Sequence, residues 1–186
     1  MITTKPSIQS ATERRAAEAS LSKLVAEHAG RDAALVKATR KALRKRLPTA
    51  IEIVYDYRDA VIISVSPDER GYEGVFAIRG DADGVKLYFN FGKALPDPEK
   101  LLKGSGSQTR WIELASQATL RKPAVAAFVE EAIARHRVPF AEEGRGAVLV
   151  RETAASRRKT GKGADKRAGK AAGKAATKTA GKRPKQ

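Results

Sequence analysis

The stretch GVFAIRGDADGVKLYFNFG, residues 74–92, reads as two strands and the turn that joins them. In its second half Val85, Leu87, Phe89 and Phe91 share one face, while Lys86, Tyr88 and Asn90 share the other. That is the period of two required of a half-buried strand. The first half, 74–80, is a second strand, and GDADG (80–84) is the hairpin connection. A calcium loop starting at Asp81 would need an acid at its fifth position and a glutamate at its twelfth; those places hold Val85 and Gly92. Upstream, Ile51, Ile53 and Tyr55 alternate with Glu52, Val54 and Asp56, and AVIISVS (60–66) is an apolar strand. Downstream, RWIELAS (110–116) alternates through Ile112 and Leu114. Short connections between these strands favour antiparallel pairing, because a parallel pair needs a crossover of a dozen or more residues.

Helices flank this block. Ser10 and Glu13 form a capping-box pair, followed at helical spacing by Ala17, Leu21, Leu24, Val25 and His28 up to Gly30. A second helix spans about Asp32 to Arg46, with Leu35, Thr39, Ala42, Leu43 and Leu47 near one face, before Pro48 stops it. Lys37, Lys41 and Arg44 lie opposite, with Arg40 and Lys45 beside them: either a solvated face or a phosphate-contacting helix. A third helix starts at Pro123, and Val125, Phe128, Val129, Ala132 and Ile133 form its apolar stripe. GAVLV (146–150) reads equally as an accessory strand or a linker. The expected fold is α+β: an antiparallel sheet of about five strands with N-terminal helices and a C-terminal helix packed on one face.

Charge divides the chain differently. Of a net +16, residues 151–186 carry +11, from 13 Lys and Arg against 2 acids, and residues 1–150 carry +5, from 24 against 19. The last segment is rich in Ala, Gly, Lys and Thr and has no large apolar residue, so it is expected to be disordered. The expected organisation is a flexible N-terminus (1–9), a domain (10–150) and a basic tail (151–186). In the tail Lys162, Lys166, Lys170, Lys174, Lys178 and Lys182 recur every four residues. On a helix that spacing drifts by about 40° per lysine, so no flat stripe forms. With Lys159, these lysines are the candidate nucleic-acid contacts, acting by counterion release without sequence readout.

Other chemistry finds little support. With no cysteine there is no thiolate nucleophile, disulfide or cysteine-held metal. His28 and His136 lie on different helices without metal-ligand spacing, and no serine sits in a GxSxG elbow. No metal, cofactor or catalytic residue is assigned. LLKGSGSQTRW (101–111) lacks the spacing of a Walker loop and the third glycine of a dinucleotide fingerprint. It reads as a turn, or as an anion nest with Lys103, Ser105 and Arg110 as candidate contacts. The absence of a transmembrane or signal-type apolar run leads to an expectation of a cytosolic protein, with nucleic acid or a small anionic ligand as partner and no membrane.

Four of these segments are also the ground for a resemblance: the LYF strand (Leu87–Phe89), the LPDP turn (Leu95–Pro98), the glycine loop from Leu101 to Gly106, and Arg110 with Ile112 and Leu114. Over about residues 10–140, and most specifically over 85–135, the chain resembles the YdhG-like domain family. The resemblance implies an α+β fold with an antiparallel sheet, and some relatives are described as frataxin-like iron chaperones. It excludes the tail, which is similar in composition to linker-histone tails. The family usually has a lysine where this chain has Ser107. The first helix mixes Glu13, Glu18 and Glu27 with Arg14, Arg15 and Lys23 rather than forming an acidic ridge. The leading expectation is a non-enzymatic YdhG-like binding domain tethered to nucleic acid by its lysines. The alternative is a domain that binds a small anion or iron and carries an incidental tail.

Overall fold

The computed structural model describes residues 9–71 and 74–153. Two helices, α1 (Ala11–Ala29) and α2 (Ala33–Arg46), lead into five strands: β1 (Ile51–Asp56), β2 (Ala60–Ser66), β3 (Phe76–Asp81), β4 (Gly84–Phe89) and β5 (Arg110–Glu113). Helix α3 (Pro123–Ala134) and β6 (Val148–Glu152) complete the domain. The sheet order is β5-β4-β3-β2-β1-β6. Among the described residues no helix is long and apolar enough to cross a membrane.

Local sequence signals account for most boundaries. Ser10 caps α1 reciprocally: its hydroxyl accepts from the Glu13 N–H at 3.2 Å, and the Glu13 carboxylate accepts from the Ser10 N–H at 2.8 Å. Gly30, at φ 49°, turns the chain through a 3-10 segment into α2. Asp81 and Gly84 pair across a two-residue hairpin, where the Asp81 carboxylate accepts the Asp83 N–H at 2.9 Å. The strand pattern of 84–92 stops earlier than its alternation predicts. After Phe89 the chain enters a 3-10 turn at Gly92–Ala94, which leaves Phe91 46% exposed rather than in the core.

One face of the sheet carries the main core. Val61, Ile63 and Val65 of β2 stand in register with Gly80, Ile78 and Phe76 of β3, and these with Val85, Leu87 and Phe89 of β4. Leu21 and Val25 of α1, Val36 and Leu43 of α2, and Val125, Phe128 and Val129 of α3 share their cluster. Phe89 meets both Phe76 and Phe128 edge to face, at 5.7 and 6.0 Å. Gly80 lets the helices come close: a Cβ there would lie 2.9 Å from Val36 and 3.1 Å from Ala29.

Strand β1 presents Glu52, Val54 and Asp56 in register with the core residues of β2, and Ile51, Ile53 and Tyr55 on the opposite face. Glu52 is therefore a carboxylate buried beneath helices, 2% exposed. Arg40 reaches it with two hydrogen bonds of 2.9 and 2.6 Å, and reaches Glu18 of α1 with two more of 2.7 Å each. His28 bonds Asp56 at 2.8 Å, so this histidine ties α1 to the end of β1. On the far face Ile51, Ile53 and Ala147 form a second small cluster with Tyr55 and Leu149. The segment after β2 bends over it, bringing Gly71 close to the Ile53 and Tyr55 side chains.

GAVLV leads into a sixth strand from Val148, and it pairs with β1 in parallel, not antiparallel: Glu52, Val54 and Asp56 oppose Val148, Val150 and Glu152. The long return through α3 supplies the crossover that the short upstream connections lack. Gly146 allows this docking, because a Cβ there would sit 1.8 Å from the Ala50 carbonyl oxygen. The sheet thus extends to Glu152, past the expected domain end at 150. The Arg151 guanidinium donates to the carbonyls of Arg70, at 3.3 Å, and Glu69. Gln9, placed by sequence in a free N-terminus, pairs its side-chain amide with the Val148 backbone, donating at 2.7 Å and accepting at 3.1 Å. The disorder expected of the tail, including Lys159 and the lysine repeat, concerns residues that beyond Thr153 lie outside the described ones.

Removing one member of a buried ion pair costs about 3–5 kcal/mol, because the other charge is left uncompensated. Arg40→Ala, which leaves Glu52 buried with only Arg44 at 3.6 Å, should lower folding stability by about that amount in urea denaturation, and Glu52→Gln by less, since Arg40 keeps Glu18 and the amide oxygen still accepts from it.

Glu18 is held below its ordinary pKa of 4.5, chiefly by the hydrogen bonds from Arg40. A carboxylate lowered in the folded state adds stability above its unfolded pKa and loses it as pH falls through the folded value. Wild-type stability should therefore decline as pH drops below 4.5. Glu18→Gln should be less stable at neutral pH but show a shallower acid decline, as checked by urea midpoints across that range.

Candidate nucleic-acid interface

Helix α2 explains why its cations do not form one uniform face. Arg40 points inward and is 14% exposed, clamped between Glu18 and Glu52. Burial disfavours its charge, but the hydrogen bonds to Glu18 and Glu52 outweigh this and hold it more firmly protonated. Arg44 joins the same network at 3.0 Å from Glu18. The sequence placed Arg40 with the candidate phosphate contacts; the fold makes it structural. The residues left facing outward are Lys37, Lys41 and Lys45.

Two of these border a groove. Ala38, Lys41, Ala42 and Lys45 fall at i, i+3, i+4 and i+7, one stripe along α2. Across from it stand Gln117, Leu120 and Arg121 of the 3-10 turn Gln117–Arg121, and Ala126 of α3. Small alanines on both walls leave an open groove of about 760 Å³. Its charged lining is Lys41, Arg44, Lys45, Arg46 and Arg121, with no acid among the lining residues. Arg44 is compensated by Glu18 and Arg46 by Glu130 at 2.9 Å. None of the ion pairs among the described residues involves Lys41, Lys45 or Arg121. Lys41 and Lys45 are one turn apart, so they repel each other unless an anion lies between them.

The three residues proposed for an anion nest are not brought together. Lys103 and Trp111 pair as an antiparallel bridge, with N–H···O distances of 2.8 and 3.0 Å in the two directions. This closes 104–109 into a turn. Lys103 turns its ammonium onto Glu113, 2.8 Å away, and lowers that carboxyl's pKa. Trp111 and Glu113 share a strand face, so Arg110 points to the other one. Its guanidinium donates to the carbonyls of Gly106 and Thr109 at 2.7 and 2.8 Å. Ser105 is exposed in the turn.

A second concavity, a cavity of about 300 Å³, lies beside the end of α3. Val75, Phe91, Leu95 and Ala132 line it, and Arg135, His136 and Arg137 border it. Arg135 is engaged by Glu131 and by the Ala94 carbonyl at 3.0 Å. Among the described residues no group of three or more His, Asp or Glu is placed to hold a metal ion.

The groove was partly legible. The cationic positions of α2 are visible in the sequence, but Arg121 becomes their neighbour only through the packing of the 3-10 turn on α2, which no local pattern announces. Set against protein-family models, curated proteins and solved structures, the chain matches none.

Proposed function

We propose that this chain is a nucleic-acid-binding protein without a catalytic role, in which the α2–α3 groove and the lysine-rich tail engage backbone phosphates. The observation that carries this reading is the groove with five basic lining residues and no acidic one. The tail adds 13 Lys and Arg against 2 acids over 151–186. Both act on the phosphate backbone, which dominates affinity and makes it dependent on salt. The YdhG-like resemblance contributes only a scaffold to this reading.

Binding of the full chain to a labelled duplex in graded salt tests the proposal. If about 8 tail lysines engage, log affinity should fall against log salt with a slope steeper than about −7. Removing residues 154–186, which keeps β6 intact, should take away most of that slope. Replacing Lys41, Lys45 and Arg121 together by alanine should reduce it by about 3. Unchanged affinity in both variants overturns the reading.

A second reading rests on the cavity beside α3, whose apolar walls and basic border suit a small organic anion. A carboxylate ligand should then raise the melting temperature of the full chain in a thermal-shift screen, and Arg137→Ala should abolish that rise.

A further inference from the structure

The sheet face opposite the helices carries a feature that the phosphate-binding reading does not use. In β4 and β5, Tyr88 and Trp111 are direct cross-strand partners. Their rings lie 6.3 Å apart and tilted by 49°. Both are only half-buried, whereas Leu87 and Phe89 on the helix-covered side of the same strand are fully enclosed. Lys86 and Lys103 hold their ammonium groups 5.9 and 5.6 Å from the Trp111 ring. The pattern Lys86-Tyr88 is visible in the sequence, but the second aromatic arrives only through strand register.

We infer that Tyr88 and Trp111 form a stacking platform for the unpaired bases of single-stranded nucleic acid, with Lys86 and Lys103 serving the adjoining phosphates. This rests on the nucleic-acid reading above and specifies which form of the polymer the sheet face takes. A duplex keeps its base faces stacked inside, so an aromatic platform selects strands whose bases are free. The charge at the site fits this occupant. Glu113, beside the rings, already neutralises Lys103, and Asp81 farther along this face is engaged by Arg79; Lys86 feels both carboxylates but lies within ion-pair distance of neither. A base arriving on Trp111 displaces the lysine ammonium groups from the ring, and base stacking is stronger than the exposed cation–π contacts it replaces. The exchange favours the base, and the flexible lysine stem then carries its charge to a phosphate.

Trp111 is the chain's single tryptophan, so its fluorescence reports this site alone. The full chain is titrated with oligo(dT) of about 12 nucleotides, with a duplex of equal length, and with polyphosphate, a polyanion without bases. Oligo(dT) should quench Trp111, and saturating polyphosphate should not. By anisotropy of labelled oligo(dT), Tyr88→Ala should weaken binding about 5- to 150-fold, with duplex affinity unchanged, and Tyr88→Phe should retain wild-type affinity. Equal quenching by polyphosphate, or oligo(dT) affinity unaffected by Tyr88→Ala in a variant with wild-type melting behaviour, overturns the platform. If salt-sensitive duplex binding persists in that case, the groove and tail reading stands alone; if neither polymer binds, both fall together.

Discussion

Arg40 makes four hydrogen bonds, two to Glu18 on α1 and two to Glu52 on β1, and through them α2 is tied to both α1 and the sheet. A guanidinium suits the task because its planar fork can satisfy two carboxylates in pairs, while a lysine offers a single point of charge. The arrangement is costly to assemble. Glu52 is 2% exposed, and a carboxylate in that setting is tolerable only if its oxygens are occupied. Once assembled it leaves little freedom. With Arg40 turned inward, the helical period carries Lys37, Lys41 and Lys45 to the outside of α2, and the alanines at 38 and 42 lie between those lysines along the groove wall. Thus the same contact that closes the core also sets the direction of the basic surface.

The clamp also shows what a linear pattern conveys and what it hides. Alternation located β1, β4 and β5, because a strand that buries one face shows that requirement as a period of two, and apolar runs located β2 and β3. Helix starts were equally plain, since Ser10 with Glu13 and Pro123 act through atoms within one turn. Pairing over long separations leaves no such trace. Glu52 between Ile51 and Ile53 looked like the polar half of an alternating strand, yet this strand is enclosed on both faces. A charge within such an apolar run calls for a buried partner, and that was the available clue. Position on the helix set Arg40 beside Lys41 and Arg44, but nothing local named its carboxylate partners. Strand β6 was ambiguous for a related reason. Its neighbour β1 lies almost a hundred residues upstream, and five residues of apolar chain do not say where they dock.

Candidate sites divided along the same line. Lys103, Ser105 and Arg110 were grouped by closeness in sequence, but a strand sends successive side chains to opposite faces, which separates Lys103 from Arg110. The converse holds for Tyr88 and Trp111, which are far apart along the chain and adjacent across the sheet. Pairing created one constellation and dissolved another, and neither change is visible in composition.

All three helices cover one side of the sheet, so the two cationic surfaces of the domain face away from each other. The groove on the helix side has charge without aromatic rings; the far side has rings with lysines beside them. These differ in physical reach. Attraction between exposed charges extends over a Debye length of about 8 Å at physiological salt and fades as salt rises, whereas stacking acts only on contact and responds far less to ions. A polymer drawn in by the lysines of the tail and groove would be held by charge wherever it is paired. It would be held by the rings as well only where its bases are free. On that division of labour, discrimination between paired and unpaired strands should emerge as salt increases, because the shared electrostatic part weakens while the contact part remains.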